Sequence, residues 1–153
     1  GTSGTAAERL RRVSHAYACH ALEHPLQYRL LFMEQRPLTT IENSGIEYGN
    51  LSEDAYALLC GLVQALASEQ GRDLSAQEIQ TAAQIIWEGV HGTVALRLST
   101  DKDPWFQRLA LDAHLDILLD VLLAGVATRW ASLPAGEPNS DKNANKRPPA
   151  KRK

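Results

Sequence analysis

Little in this 153-residue chain points to covalent or catalytic chemistry. It has two cysteines, Cys19 and Cys60, each set among apolar residues of a separate helical pattern and without CxxC spacing. That points to reduced, buried thiols of a cytosolic protein rather than to a disulfide framework. No apolar run is clean enough to span a membrane, because residues 109–127, the greasiest stretch, are broken by Asp112, His114, Asp116 and Asp120. No N-terminal stretch has the basic, apolar, small-residue order of a signal peptide. GxSxG, HExxH and a phosphate-cradling glycine loop are all missing, so neither an enzyme nor a cofactor is expected.

What is present is helical. Strand signals are few, and apolar residues recur at three- and four-residue steps, which predicts an all-α fold of about five helices. Leu10, Val13, Tyr17, Ala21 and His24 line one side of a first helix, opposite Arg9, Arg12 and Glu23. Pro25 disfavours helix at His24 and opens a short second helix, PLQYRLLFM. Residues 34–50 lack periodicity and read as a long loop. The next helix is expected to start at Ser52, with Leu51 and Tyr56 stapled across its cap, and to end near Gly71 after burying Leu59, Leu62, Val63 and Leu66. Ser75 and Glu78 form a capping-box signal for a helix running to about Leu98. Asp103 followed by Pro104 predicts the start of the last helix, which reaches roughly Trp130.

The expected organisation is a linker remnant at 1–6, one domain at 7–132 and a disordered tail at 133–153. Residues 1–136 carry 10 Lys and Arg against 16 Asp and Glu, whereas 137–153 carry 6 against 2, so an acidic globule bears a basic tail. On charge alone that tail reads as a solvated extension, or as an import signal or nucleic-acid arm.

The last helix is apolar on nearly all sides, with Asp112, Asp116 and Asp120 as its strip for water. Such a helix must be covered from more than one direction. Either a larger core inside the chain does this, or a second copy packs about a twofold axis. The second option predicts a homodimer through Gly89, Thr93, Leu111, Leu115, Leu118 and Leu122.

The stretch WEGVHG, residues 87–92, places Trp87 and His91 on one helix face, continued by Val94 and Leu98. Gly89 and Gly92 each cost a helix roughly 1 kcal/mol relative to alanine, so something is expected to come close there. Trp87, His91 and Gly92, together with AYACHALEHPLQYRLLF at 16–32, resemble the C-terminal domains of TetR-type transcriptional regulators, in the subgroup marked by a Trp and His-Gly (WHG) signature. The resemblance spans about residues 7–130. It implies a regulatory domain, by the family's habit part of a repressor, that dimerises through its last two helices as a four-helix bundle and holds a small apolar effector between helices. It also implies DNA binding only through an N-terminal helix-turn-helix, which is missing here. The candidate effector residues are Tyr17, Tyr28, Phe32, Met33, Tyr56, Cys60, Trp87 and His91. Each of these also reads as plain core, and His91 as a satisfied core histidine.

Two other readings stand beside this one. A ligand-free dimerisation module would have a solid core where the effector is expected. A metal-binding bundle would use Glu88 with His91, or His20 with His24, but the paired Glu-x-x-His motifs of di-iron bundles occur only once here, and no metal is expected.

Overall fold

Four of the five helices begin on a local signal that relieves the unpaired N–H groups of a first turn. The computed structural model describes residues 3–34, 45, 47, 49–101, 103–105 and 107–133, and these contain α1 (Ala6–Glu23), α2 (Pro25–Phe32), α3 (Ala55–Glu69), α4 (Ala76–Ser99) and α5 (Leu111–Ser132), with no strand. Most of the expected 34–50 loop and of the 133–153 tail lies outside the described residues.

Thr5 and Glu8 form a reciprocal capping box at α1, so Thr5 and the fully buried Ala6 belong to the domain rather than to a linker. Pro25 sits in the first turn of α2 as expected. At α3 the cap is Asp54, whose carboxylate accepts the N–H groups of Tyr56 and Ala57. Ser52 is instead drawn into a turn by Asn50 Oδ1, which accepts both its N–H and its hydroxyl. Gly71, at φ +67°, ends α3, with Arg72 N–H donating to Ala67 O at 2.9 Å. Ser75 caps α4, but only half of the predicted box forms, because the Glu78 carboxylate takes Arg129 of α5 at 3.0 Å.

The start of α5 departs furthest from expectation. Asp103 accepts the Trp105 N–H at 3.0 Å in a local turn, and α5 begins only at Leu111 without a side-chain cap. Arginines hold the intervening chain. Arg97 donates to Leu109 O at 2.8 Å, and Arg108 donates to Arg97 O at 3.0 Å and to Thr100 Oγ1 at 2.8 Å.

α1 packs against each of the other four helices. Its buried stripe is Leu10, Ser14, Ala18 and Ala21, rotated from the predicted one, and Val13 and His24 are exposed. Small residues at 14, 18 and 21 let neighbouring helices approach closely, and Tyr17 is left at the edge of that contact. The Ala6 N–H donates to the Glu69 carboxylate at 2.9 Å, tying the start of α1 to the end of α3.

The acidic strip on α5 does not simply face water. Arg11 pairs with Asp120 and donates to Asp116 O, and His15 lies 3.0 Å from Asp116 and 3.3 Å from Asp112. It is the α1 side of α5.

The six residues expected at a dimer interface are placed largely along the α4–α5 seam of one chain. A Cβ on Gly89 would lie 2.7 Å from Leu122 Cδ1, so the close neighbour that Gly89 admits is Leu122 of the same molecule. Leu115 is fully buried and Thr93 nearly so, with the Thr93 hydroxyl donating to Gly89 O. Leu111 and Leu118 pack against that core, and Leu122 is half-buried. Sequence periodicity finds an apolar face but not which neighbour covers it. The side of α5 left bare carries Ile117 and Val121, and α4 leaves Leu96 bare.

The two glycines of WEGVHG therefore differ, since a Cβ on Gly92 meets nothing within 4 Å. Gly92→Ala is expected to stabilise the fold by about 1 kcal/mol. Gly89→Ala should gain less, because Leu122 must move. Thermal or denaturant unfolding of the two variants checks the order, and equal gains would contradict it.

Candidate functional site

Three helices converge on the His91 imidazole. α4 presents Trp87 and His91 one turn apart, their ring centroids separated by 5.5 Å. α2 brings Tyr28 to 5.1 Å and Phe32 to 5.2 Å from the His91 ring, and α1 contributes Tyr17, 6.2 Å from Phe32. Phe32 also meets Trp87 edge-on at 6.1 Å, and Tyr56 of α3 extends the row beyond Trp87 at 6.3 Å. These spacings lie within the range of favourable ring pairs.

One neutral arrangement satisfies these polar atoms together. The Tyr17 hydroxyl lies 2.9 Å from His91 Nδ1, and the Tyr28 hydroxyl lies 3.1 Å from Nε2 and 3.2 Å from the His91 carbonyl. Tyr17 donates to Nδ1, the Nε2–H donates to Tyr28, and Tyr28 donates to the carbonyl. This needs the neutral, Nε2-protonated tautomer, assigned from its partners. Tyr28 also stands 3.0 Å from Nδ1, so its hydroxyl is within reach of both ring nitrogens.

Burial pushes in the same direction. It lowers the His91 pKa from the ordinary imidazole value of 6.5, since nothing nearby offsets the cost of a charged ring. Burial raises the Tyr17 hydroxyl, against hydrogen bonds from Trp87 and Tyr28, and raises Tyr28 far beyond the usual phenol range. All three groups are held neutral at physiological pH. The Cys60 thiol, beside Tyr56, is likewise raised chiefly by burial, which disfavours its thiolate form.

Seven of the eight candidate effector residues are thus connected, six through rings and Cys60 through Tyr56. Met33 is not. It is 52 % exposed at the end of α2, where its N–H donates to Arg29 O. The cluster is closed at one side and open at the other: Tyr28 is 2 % exposed, whereas Phe32 and Trp87 remain 37 % and 36 % exposed. Leu26, Leu30 and Leu31 on the same helix α2 are also exposed. What the sequence did not reveal is the pairing of two tyrosines with one histidine. A tyrosine on each of two helices beside a buried-pattern histidine was the available signal.

Glu88 lies on a different side of α4, and the His91 nitrogens are taken by tyrosines. His20 and His24 bring their rings within 4.5 Å, but among the described residues no group of three metal-binding side chains converges. No helix among them is long and apolar enough to cross a membrane.

A family model described as the tetracyclin repressor-like C-terminal domain matches residues 10–127, which include every residue of the cluster. No curated protein and no solved structure matches the chain.

The depressed His91 pKa carries a sign. The unfolded chain takes up a proton near pH 6.5 that the folded chain resists, so folding stability is unaffected well above that value and falls as pH drops below it. His91→Phe is expected to flatten the loss of stability between neutral pH and pH about 5 relative to the unmodified protein. Denaturant midpoints measured across that range check this, and equal slopes would mean that His91 is protonated in the fold.

Proposed function

The chain belongs to the tetracycline repressor-like C-terminal domain family, and from that premise we propose that it is the sensing and dimerising part of a transcriptional regulator, and more narrowly of a repressor. Domains of this family are regulatory rather than enzymatic. The effector is a small apolar or aromatic molecule that enters the ring cluster from the side left open by Phe32 and Trp87. Apolar walls above a few fixed polar atoms are what such a ligand requires. The observation that carries this reading is the contrast within one cluster: a floor of buried Tyr28 hydrogen-bonded with half-buried Tyr17 and His91, beneath ring faces that are still in contact with water.

Homodimerisation is the second part of the proposal. It uses the bare sides of α4 and α5, centred on Leu96, Ile117 and Val121 and flanked by half-buried Gly89, Leu118 and Leu122, with Leu115 and Thr93 buried beneath. DNA is contacted by a helix-turn-helix outside these residues. Effector binding acts by population shift: Tyr17 couples the cluster to α1, and a ligand that favours one setting of α1 over another changes the spacing of two DNA-reading heads. It does so only to the extent of its differential affinity for the two settings.

The test is a thermal-shift screen against planar aromatic and long-chain apolar compounds, backed by sedimentation of the free protein. A binding compound raises the melting temperature. His91→Phe is expected to abolish that rise while leaving a folded dimer, and Val121→Lys to give a folded monomer. A protein whose melting no compound in the screen alters, or a His91→Phe chain that fails to fold, would return the cluster to simple packing. A Val121→Lys chain that is still dimeric would remove the proposed interface.

A further inference from the structure

Trp105 is 88 % exposed, more than any other large apolar side chain among the described residues, and neither the core nor the ring cluster uses it. It does not hang from a loose end. Pro104 fixes the backbone before it, the Trp105 N–H donates to Asp103 Oδ1 at 3.0 Å, and the Asp103 N–H donates to Thr100 O at 3.1 Å. Arg108 braces the other side of the connection through Arg97 O and Thr100 Oγ1. An indole presented to water from a braced turn loses little freedom when a partner covers it. Tryptophan in that setting is what anchors interfaces.

The same connection forms one wall of an empty recess. About 470 Å³ in volume and half open, it is lined by Gly92, Leu96, Arg97, Thr100 and Leu109 among others. A space in the range of small-ligand sites admits an aromatic side chain. No atom of the protomer comes within 4 Å of where a Gly92 Cβ would be, so the recess is not filled from within. Arg97 Nε is buried without an acceptor among the described residues, and a guanidinium plane stacks favourably on the face of an indole. Exposed Leu96 joins this recess to the bare side of α4.

A projecting ring and an open recess on one patch are what an isologous contact requires. About a twofold axis beside residues 96–109, each protomer meets the same residues of its partner, so a knob and a hole on that patch are exchanged reciprocally. Within its own protomer the indole stays in water.

We propose that, in the twofold dimer of the preceding section, on which this rests, Trp105 of each protomer fills the recess of the other, along Gly92, Leu96 and Leu109 and with its face on Arg97. The recess is then half of a reciprocal lock, and its partner is a second copy of this chain. The lock joins the two 100–110 connections and so fixes the register in which α4 and α5 meet their copies.

Sedimentation of Trp105→Ala and Gly92→Leu, separately and mixed, tests this. Both changes fall where the protomer has room, so both chains should still melt cooperatively. Each should weaken dimerisation roughly thirtyfold, the loss that marks a hot-spot aromatic. In a mixed dimer the Gly92→Leu chain still supplies Trp105 to the open recess of the Trp105→Ala chain, which restores one of the two locks. Mixed dimers should therefore form about fivefold more tightly than either variant alone, the square root of the loss when the two locks contribute equally, and native mass spectrometry should find them above the statistical half. An indole that packs into its own recess gives no gain on mixing. A Trp105→Ala chain that dimerises as tightly as the unmodified chain, or mixed dimers at the statistical half, would overturn the exchange while leaving the dimer in place. An unmodified chain that sediments as a monomer would remove both.

Discussion

The hydrogen bond between the Tyr17 hydroxyl and His91 Nδ1 joins α1 to α4, and in the neutral, Nε2-protonated ring that nitrogen is the acceptor. Tyr28 of α2 completes the arrangement from the other nitrogen and the backbone carbonyl. Because the imidazole sits among rings rather than carboxylates, protonating it would bury an uncompensated charge and turn an acceptor into a donor facing Tyr17. A single unprotonated nitrogen therefore orients side chains from three helices. The geometry of the open ring faces of Phe32 and Trp87 follows from that orientation.

α1 is held from two directions. On its α4 side Tyr17 reaches His91, and on its α5 side Arg11 and His15 meet the acidic strip of Asp112, Asp116 and Asp120. The second contact is exposed and individually weak, as surface ion pairs are. The first is partly buried and more demanding of geometry. An event in the ring cluster would thus act on α1 where its attachment is stiff, while the charged seam gives way at little cost. In the proposed mechanism this asymmetry is what allows a ligand between helices to reset α1 without dismantling the α4–α5 core.

How much of this was legible in the sequence follows the range of the interactions involved. The proline start of α2, the glycine end of α3 and the Ser75 cap of α4 depend on residues within a turn of one another, and they stand where the pattern placed them. The starts of α3 and α5 were misplaced because Ser52 and Asp103 carry cap-like side chains that local turns use instead. The 100–110 connection could not be read at all, since arginine bonds to distant carbonyls shape it. Seven effector candidates fell together because residues one helical turn apart share a face. The dimer candidates Gly89, Thr93, Leu115 and Leu122 fell along the protomer's own seam, because the periodicity of an almost wholly apolar helix cannot say which neighbour covers which side.

The neutral histidine carries the account, and it can be observed directly. Nitrogen chemical shifts of selectively labelled His91, recorded near pH 6 in the folded protein, report the protonation of each ring nitrogen separately. The account predicts a protonated Nε2 beside an unprotonated Nδ1 shifted by hydrogen bonding, with both moving when Tyr17→Phe removes the donor. An imidazolium signature at that pH, or a proton resident on Nδ1, would contradict it.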